Sequence, residues 1–210
     1  MFDYENKLNE NLFNVIKDIS NPIILELGVQ SGISTKKFLK ICDQNDGRLY
    51  SVDIEDCSGV ANNYKWRFIQ SRDDNFDYIR SIIPNKIDVL FIDTLHEAKH
   101  VENIFFYYYN LLKKDGYVFI DDISHLPYLK NKKKTDFYCA INNQETFNKI
   151  LEIYSSNYTN FSLNFSFQSS GLAIIKKKTD DKLNLLIKIK SSKFFFKNIL
   201  RKIWHKIKKK

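Results

Sequence analysis

Five carboxylates in this chain, Glu26, Asp53, Asp93, Asp121 and Asp122, each lie in or directly after a run of apolar residues. Asp93, Asp121 and Asp122 close two such runs, Val89-Leu90-Phe91-Ile92 and Tyr117-Val118-Phe119-Ile120. Three carboxylates brought together with no adjacent Lys or Arg repel one another unless something positive binds. Oxygen-only ligation suits Mg²⁺, which keeps several waters and exchanges them for substrate oxygens. Such an ion would acidify a hydroxyl and orient it for attack. The competing reading makes Asp93 a helix N-cap and Asp121 or Asp122 a turn residue.

Two histidines extend the same chemistry. His96 lies three residues after Asp93, and His125 three residues after Asp122. Imidazoles titrate near neutral pH, so either could act as a general base toward a hydroxyl. His96 is the first choice and His125 the alternative, while His100 and His205 have no comparable setting. A third constellation is Glu26-Leu27-Gly28-Val29-Gln30-Ser31-Gly32-Ile33-Ser34. Gly28 permits a tight turn and close backbone approach to a ligand, and Gly32 lets a helix begin beside it. Asp53 follows about 25 residues later, where an acid can accept hydrogen bonds from both hydroxyls of a ribose. The plainer reading is that both glycines only shape the turn.

These residues need elements to position them. Apolar spacing predicts a helix over residues 4–19, with Leu8, Leu12, Phe13, Ile16 and Ile19 on one stripe. Strands are predicted at 23–27, 49–53, 66–70, 87–93 and 117–121, and helices at about 33–42, 74–82 and 96–112. Asp46-Gly47 and Asp115-Gly116 supply turns. Residues 123–142 read as an irregular, Lys- and Tyr-rich excursion, followed by a helix at about 144–156. Two extended stretches, 161–167 and 172–176, flank Gln168-Ser169-Ser170-Gly171 and read as an antiparallel hairpin. Strands apolar on both faces belong to parallel sheets flanked by helices, and ligands bind outside their carboxyl ends. The fold class is therefore α/β: a Rossmann-like, doubly wound, mostly parallel seven-stranded sheet with a C-terminal antiparallel hairpin.

The Glu-Leu-Gly-x-x-x-Gly-x-Ser form at 26–34 resembles class I S-adenosylmethionine-dependent methyltransferases. Within them it is similar to the metal-dependent branch of macrolide-sugar O-methyltransferases and cephalosporin-hydroxylase-like proteins, over roughly residues 20–176. The resemblance implies that Gly28, Gln30, Ser31, Gly32 and Ser34 wrap the methionine part of S-adenosylmethionine, with Glu26 supporting the loop. It implies that Asp53 holds the ribose, that Ser71 lies beside the adenine within Gln70-Ser71-Arg72-Asp73, and that Asp93 borders the cofactor. The family's usual Gly-Asp-Ser form is missing at that last stretch. Asp93, Asp121 and Asp122 occupy the positions that bind metal in the resembling enzymes, and Asp-x-x-His matches the placement of their base.

Composition places bounds on the rest. Of 33 basic and 25 acidic residues, 14 and 2 lie from Lys176 onward, leaving a body near −4 and a tail near +12. The chain divides into a methyltransferase domain (1–178) and a basic amphipathic tail (179–210). In the tail, Phe196, Ile199, Leu200, Ile203 and Ile207 share a helical face beside Trp204, with lysines around the rest. That pattern suits an anionic membrane surface, or packing on protein; an acidic body argues against nucleic acid. Cys42, Cys57 and Cys139 have no metal-ligand spacing and read as reduced thiols, and no secretory signal or spanning segment is visible. A cytoplasmic protein, peripheral to the inner face of a membrane, fits these features.

The expected activity is O-methylation with Mg²⁺ assistance, on a hydroxyl of a sugar or other small molecule, including a lipid-linked glycan. Two rival readings stand beside it. One is a degenerate methyltransferase fold serving as a membrane or partner adaptor. The other is an NAD-type oxidoreductase, against which Gln30 stands where dinucleotide binders place a third glycine. No hydride-site Tyr-Lys pairing supports it either.

Overall fold

A computed structural model of the protein describes residues 2–129 and 134–186, together with Leu200 and Trp204. The predicted amphipathic face around Phe196–Ile207 otherwise lies outside the described residues. The chain begins with α1 (Phe2–Leu8), a π-helical segment (Asn9–Phe13) and a last turn, α2 (Asn14–Ile16). Then follow β1 (Ile23–Leu27), α3 (Ile33–Asn45), β2 (Arg48–Asp53), β3 (Trp66–Gln70), α4 (Phe76–Ile82), β4 (Ile87–Ile92) and α5 (Ala98–Tyr109). The last elements are β5 (Leu112–Asp121), α6 (Lys134–Asn157), β6 (Phe161–Ser166) and β7 (Leu172–Lys177).

The seven strands form one sheet in the order β3-β2-β1-β4-β5-β7-β6. The first five are mutually parallel, and β7 pairs antiparallel with both β5 and β6. Strand order reverses at β1 and β4, which pair directly, so the carboxyl ends of those strands open the crevice expected of such a sheet. The predicted sheet and hairpin are thus the observed ones.

Side-chain alternation divides the core. Leu25, Leu27, Leu90, Ile92, Val118 and Ile120 pack with α4, α5 and α6. Ile24, Val89, Phe91 and Phe119 pack on the other face with α1, α2 and α3. A strand's period of two then puts Glu26, Asp93 and Asp121 on the α1/α3 side. That geometry governs the site.

Three boundaries depart from expectation. Helix α6 starts at Lys134, inside the stretch predicted to be irregular, because Phe137, Tyr138 and Ile141 are exposed there and give no apolar stripe to read. Strand β5 begins at Leu112, and the expected turn is a kink within it at Asp115, whose φ is 66°. The first helix is broken by the π-helical segment. Residues 181–184, assigned from sequence to the tail, lie against the body: Asn157 and Asn160 hydrogen-bond their backbone, and Leu183 and Leu186 pack on the core. Among the described residues, no helix is long and apolar enough to cross a membrane.

Candidate active site

The carboxyl ends of β1, β2, β4 and β5 border a cavity of about 800 Å³. Its lining includes the loop Gly28, Val29, Gln30 and Ser31, then Asp53, Ser71, Asp93, His96, Asp121 and Asp122. Most residues singled out from sequence therefore meet in one place. Glu26 and His125 are not among the lining residues.

Glu26 works from behind the loop. Its buried carboxylate accepts hydrogen bonds from Ser34 Oγ at 2.5 Å, Ser51 Oγ at 2.6 Å and Thr35 Oγ1 at 2.8 Å. One side chain thereby ties β1 to β2 and to the first turn of α3. Burial pushes its pKa up to about 7, although the hydroxyl donors from Ser34, Ser51 and Thr35 pull the other way. The Ser34 hydroxyl gives its proton to this bond, and Ser34 also lines the cavity, so toward a ligand it can only accept.

The glycines are required by space. Gly28 has a φ of 96°, and a Cβ there would lie 2.0 Å from the Asp93 carbonyl oxygen. Gly32 caps α3 in the left-handed region, and its Cβ would meet Val60 Cγ1 at 1.9 Å. The loop closes on Asp53, whose Oδ2 accepts from Val29 N at 2.8 Å and Gln30 N at 3.0 Å, while Oδ1 accepts from Glu55 N at 3.0 Å. Partial burial raises its pKa, but these backbone donors outweigh burial and hold the carboxyl below its usual range. A carboxylate offers about four lone-pair directions. The amides of Val29, Gln30 and Glu55 use three of them.

The other end of the cavity is acidic and crowded. His96 Nε2 lies 3.2 Å from Asp122 Oδ2 and 3.6 Å from Asp93 Oδ1. Asp93 Oδ2 accepts a 2.8 Å hydrogen bond from Tyr4 Oη of α1. Burial and the neighbouring Asp122 raise the Asp93 pKa, with Tyr4 opposing. Asp121 is fully buried and ion-paired with Lys7 of α1. Burial and Asp93 push its carboxyl upward, and the Lys7 ammonium offsets part of that.

This pairing corrects the premise that no basic side chain adjoins the three carboxylates. A lysine does, from a helix more than a hundred residues away in sequence. The donors also fail to gather as an ion would need. Among the described residues, the group whose ligand atoms all lie within 4.8 Å is Asp73, Asp74 and His100, not Asp93, Asp121 and Asp122. In that group Asp73 is held by His100 Nε2 at 2.8 Å and Asp74 by Arg72 at 2.7 Å. As arranged, Asp93, Asp121 and Asp122 do not fit a divalent ion. The cavity, the glycine loop and Asp53 do fit a nucleoside-bearing cofactor.

Sequence reasoning missed Tyr4, Lys7 and His100. His100 was set aside for lack of a setting, yet it lines the cavity against Asp73. The signal for Tyr4 and Lys7 was helical spacing, since the two lie three residues apart on α1, beside the apolar stripe.

Residues 25–123 match a family model described as a methyltransferase domain. The matched segment takes in the glycine loop, Asp53, Asp93 and Asp121, and covers somewhat under half of the chain. Among solved structures, the chain is similar to MycE, a methyltransferase from the mycinamycin biosynthetic pathway in complex with Mg and S-adenosylhomocysteine. The identity is 18% and the TM-score 0.65, over 85% of this chain and 51% of MycE. It is also similar to S-adenosylhomocysteine-bound PaMTH1 from Podospora anserina, at 13% identity and a TM-score of 0.60, over 85% of this chain and 87% of that one. At these identities the likeness is one of fold. The chain spans about half the length of MycE. No curated protein sequence matches it.

Proposed function

We propose that the protein transfers a methyl group from S-adenosylmethionine to a hydroxyl oxygen of a sugar or other small molecule. The observation that carries this reading is one cavity with the glycine loop and Asp53 at one end and His96, flanked by Asp93 and Asp122, at the other. When bound, the donor supplies an electrophilic methyl on a sulfonium and leaves as a neutral thioether, taking the electrons of the broken carbon–sulfur bond.

The chain's own residues supply position and proton transfer. Backbone from Gly28 to Gly32, held by Glu26 and Asp53, shapes the donor's seat. The acceptor hydroxyl approaches His96 at Nδ1, the ring nitrogen not facing Asp93 and Asp122, which takes its proton as the oxygen bonds to the methyl carbon. Asp93 and Asp122 hold the imidazole and offset the charge it gains, while their negative field favours a cationic donor. Alignment of the two reactants does most of the remaining work. A complex of MycE with mycinamycin VI supports a small-molecule acceptor as the class to test first. The lysine-rich sequence beyond residue 186 extends the proposal to a lipid-linked glycan at the cytoplasmic face of a membrane.

Calorimetric titration with S-adenosylhomocysteine tests the reading, and micromolar binding that weakens in Asp53→Ala is the expected result. No binding of either S-adenosylmethionine or S-adenosylhomocysteine would sink it.

A further inference from the structure

Lys7 is an unusual presence beside catalytic-type carboxylates. It is completely buried, and each direction of its ammonium has a partner: Asp121, the Ser170 hydroxyl at 2.9 Å, and the face of the Tyr4 ring with its centroid at 4.8 Å. An ammonium has three donors and no acceptor, so this set leaves none of them idle. The partners come from three separate elements: the end of β5, the β6–β7 turn and α1 itself. A buried charge held this way is a built feature of the fold, not a surface lysine folded inward.

Its position decides what else the site can hold. Asp121 is the carboxylate on which the sequence pattern would anchor a divalent ion together with Asp93 and Asp122. Its Oδ1 accepts from Lys7 and from the Asp122 backbone N–H at 2.8 Å, and Asp93 Oδ2 is taken by Tyr4. A cation approaching Asp121 would meet an ammonium already seated there, and the two would repel.

We propose that Lys7 is the resident counter-ion of this acidic crevice, standing in for a divalent metal, so that the site works without one. The inference rests on the methyltransferase reading for its consequence. Proton removal by His96 then proceeds with no Lewis acid on the acceptor oxygen. Lys7 is a positioning residue: it acts through Asp121 and does not line the cavity.

Mn²⁺ binding to the full chain, followed by electron paramagnetic resonance, tests this directly. The expected result is no ordered Mn²⁺ on the wild type and one per chain on Lys7→Met, which keeps the unbranched shape and most of the length and removes the charge. Asp121→Asn added to Lys7→Met should abolish the gain. Ordered Mn²⁺ on the wild type that disappears in Asp121→Asn overturns the proposal, and so does a folded Lys7→Met that gains none. If Lys7→Met does not fold, S-adenosylhomocysteine affinity of the wild type decides. Equal affinity in chelator and in millimolar Mg²⁺ supports the proposal, and a Mg²⁺-dependent gain overturns it. The Mn²⁺ measurement needs no methyl donor, so its outcome is separate from whether the protein binds S-adenosylhomocysteine at all.

Discussion

Replacing Glu26 by Gln should change how stability depends on pH, and the direction is fixed by the structure. In the unfolded chain this carboxyl titrates near 4.5, whereas burial lifts it to about 7 in the folded protein. Below pH 4.5 both states carry the proton. Between the two values the folded state keeps a proton that the unfolded state has lost, so stability falls as pH rises, levelling off above 7. The displacement is worth about 3 kcal/mol. Gln has the same shape and no titration. Its amide oxygen can still accept from Thr35 and Ser51, and its NH₂ can donate to Ser34 Oγ, because a hydroxyl serves either role. Urea unfolding at intervals from about pH 4 to about pH 8 would measure both proteins. The variant should gain on the wild type by about 3 kcal/mol across that range. Asp93 and Asp121 titrate in both proteins and largely cancel in the difference. Parallel curves, or a wild type that gains on the variant as pH rises, would refute the reasoning.

Other substitutions probe the remaining parts. His96→Gln should slow methyl transfer by about 10²–10⁴-fold while leaving S-adenosylhomocysteine affinity intact by calorimetry, since it removes the base and not the seat. Asp53→Ala should weaken that affinity about tenfold or more, because the amides of Val29 and Gln30 lose the acceptor that sets the loop. Gly32→Ala should lower the melting temperature and cofactor affinity together, as its Cβ would collide with Val60 in a backbone region that favours glycine. Lys7→Met should cost about 3–5 kcal/mol in metal-free chemical denaturation, the usual result of leaving one member of a buried ion pair behind.

The strands were easy to read because they are buried on both faces. Ile23–Leu27 and Ile87–Ile92 fall where apolar runs and turn residues put them. The acids at strand ends were legible for the same reason: a carboxylate stands out after three or four apolar residues. What the sequence could not display was each acid's partner. Glu26 finds three hydroxyls and Asp121 finds Lys7 only once α3 and α1 are laid on the same face of the sheet. Period-two alternation already assigned that face, but pairing helices to it requires the topology. Helix α6 was half hidden because its first turns are exposed and carry no apolar rhythm.

The reach of Lys7 has a consequence for how the molecule comes to be folded. Its partners Asp121 and Ser170 lie 114 and 163 residues away along the chain. Contacts that distant form only after long loops have closed, and they slow folding accordingly. During synthesis the first helix would wait, its lysine unpaired, until the terminal hairpin had been made and docked on β5. Glycine loop and Asp53, by contrast, are local to the first half of the chain. The donor's seat can therefore take shape early, while the acidic end of the crevice closes last and only in a molecule folded through to β7.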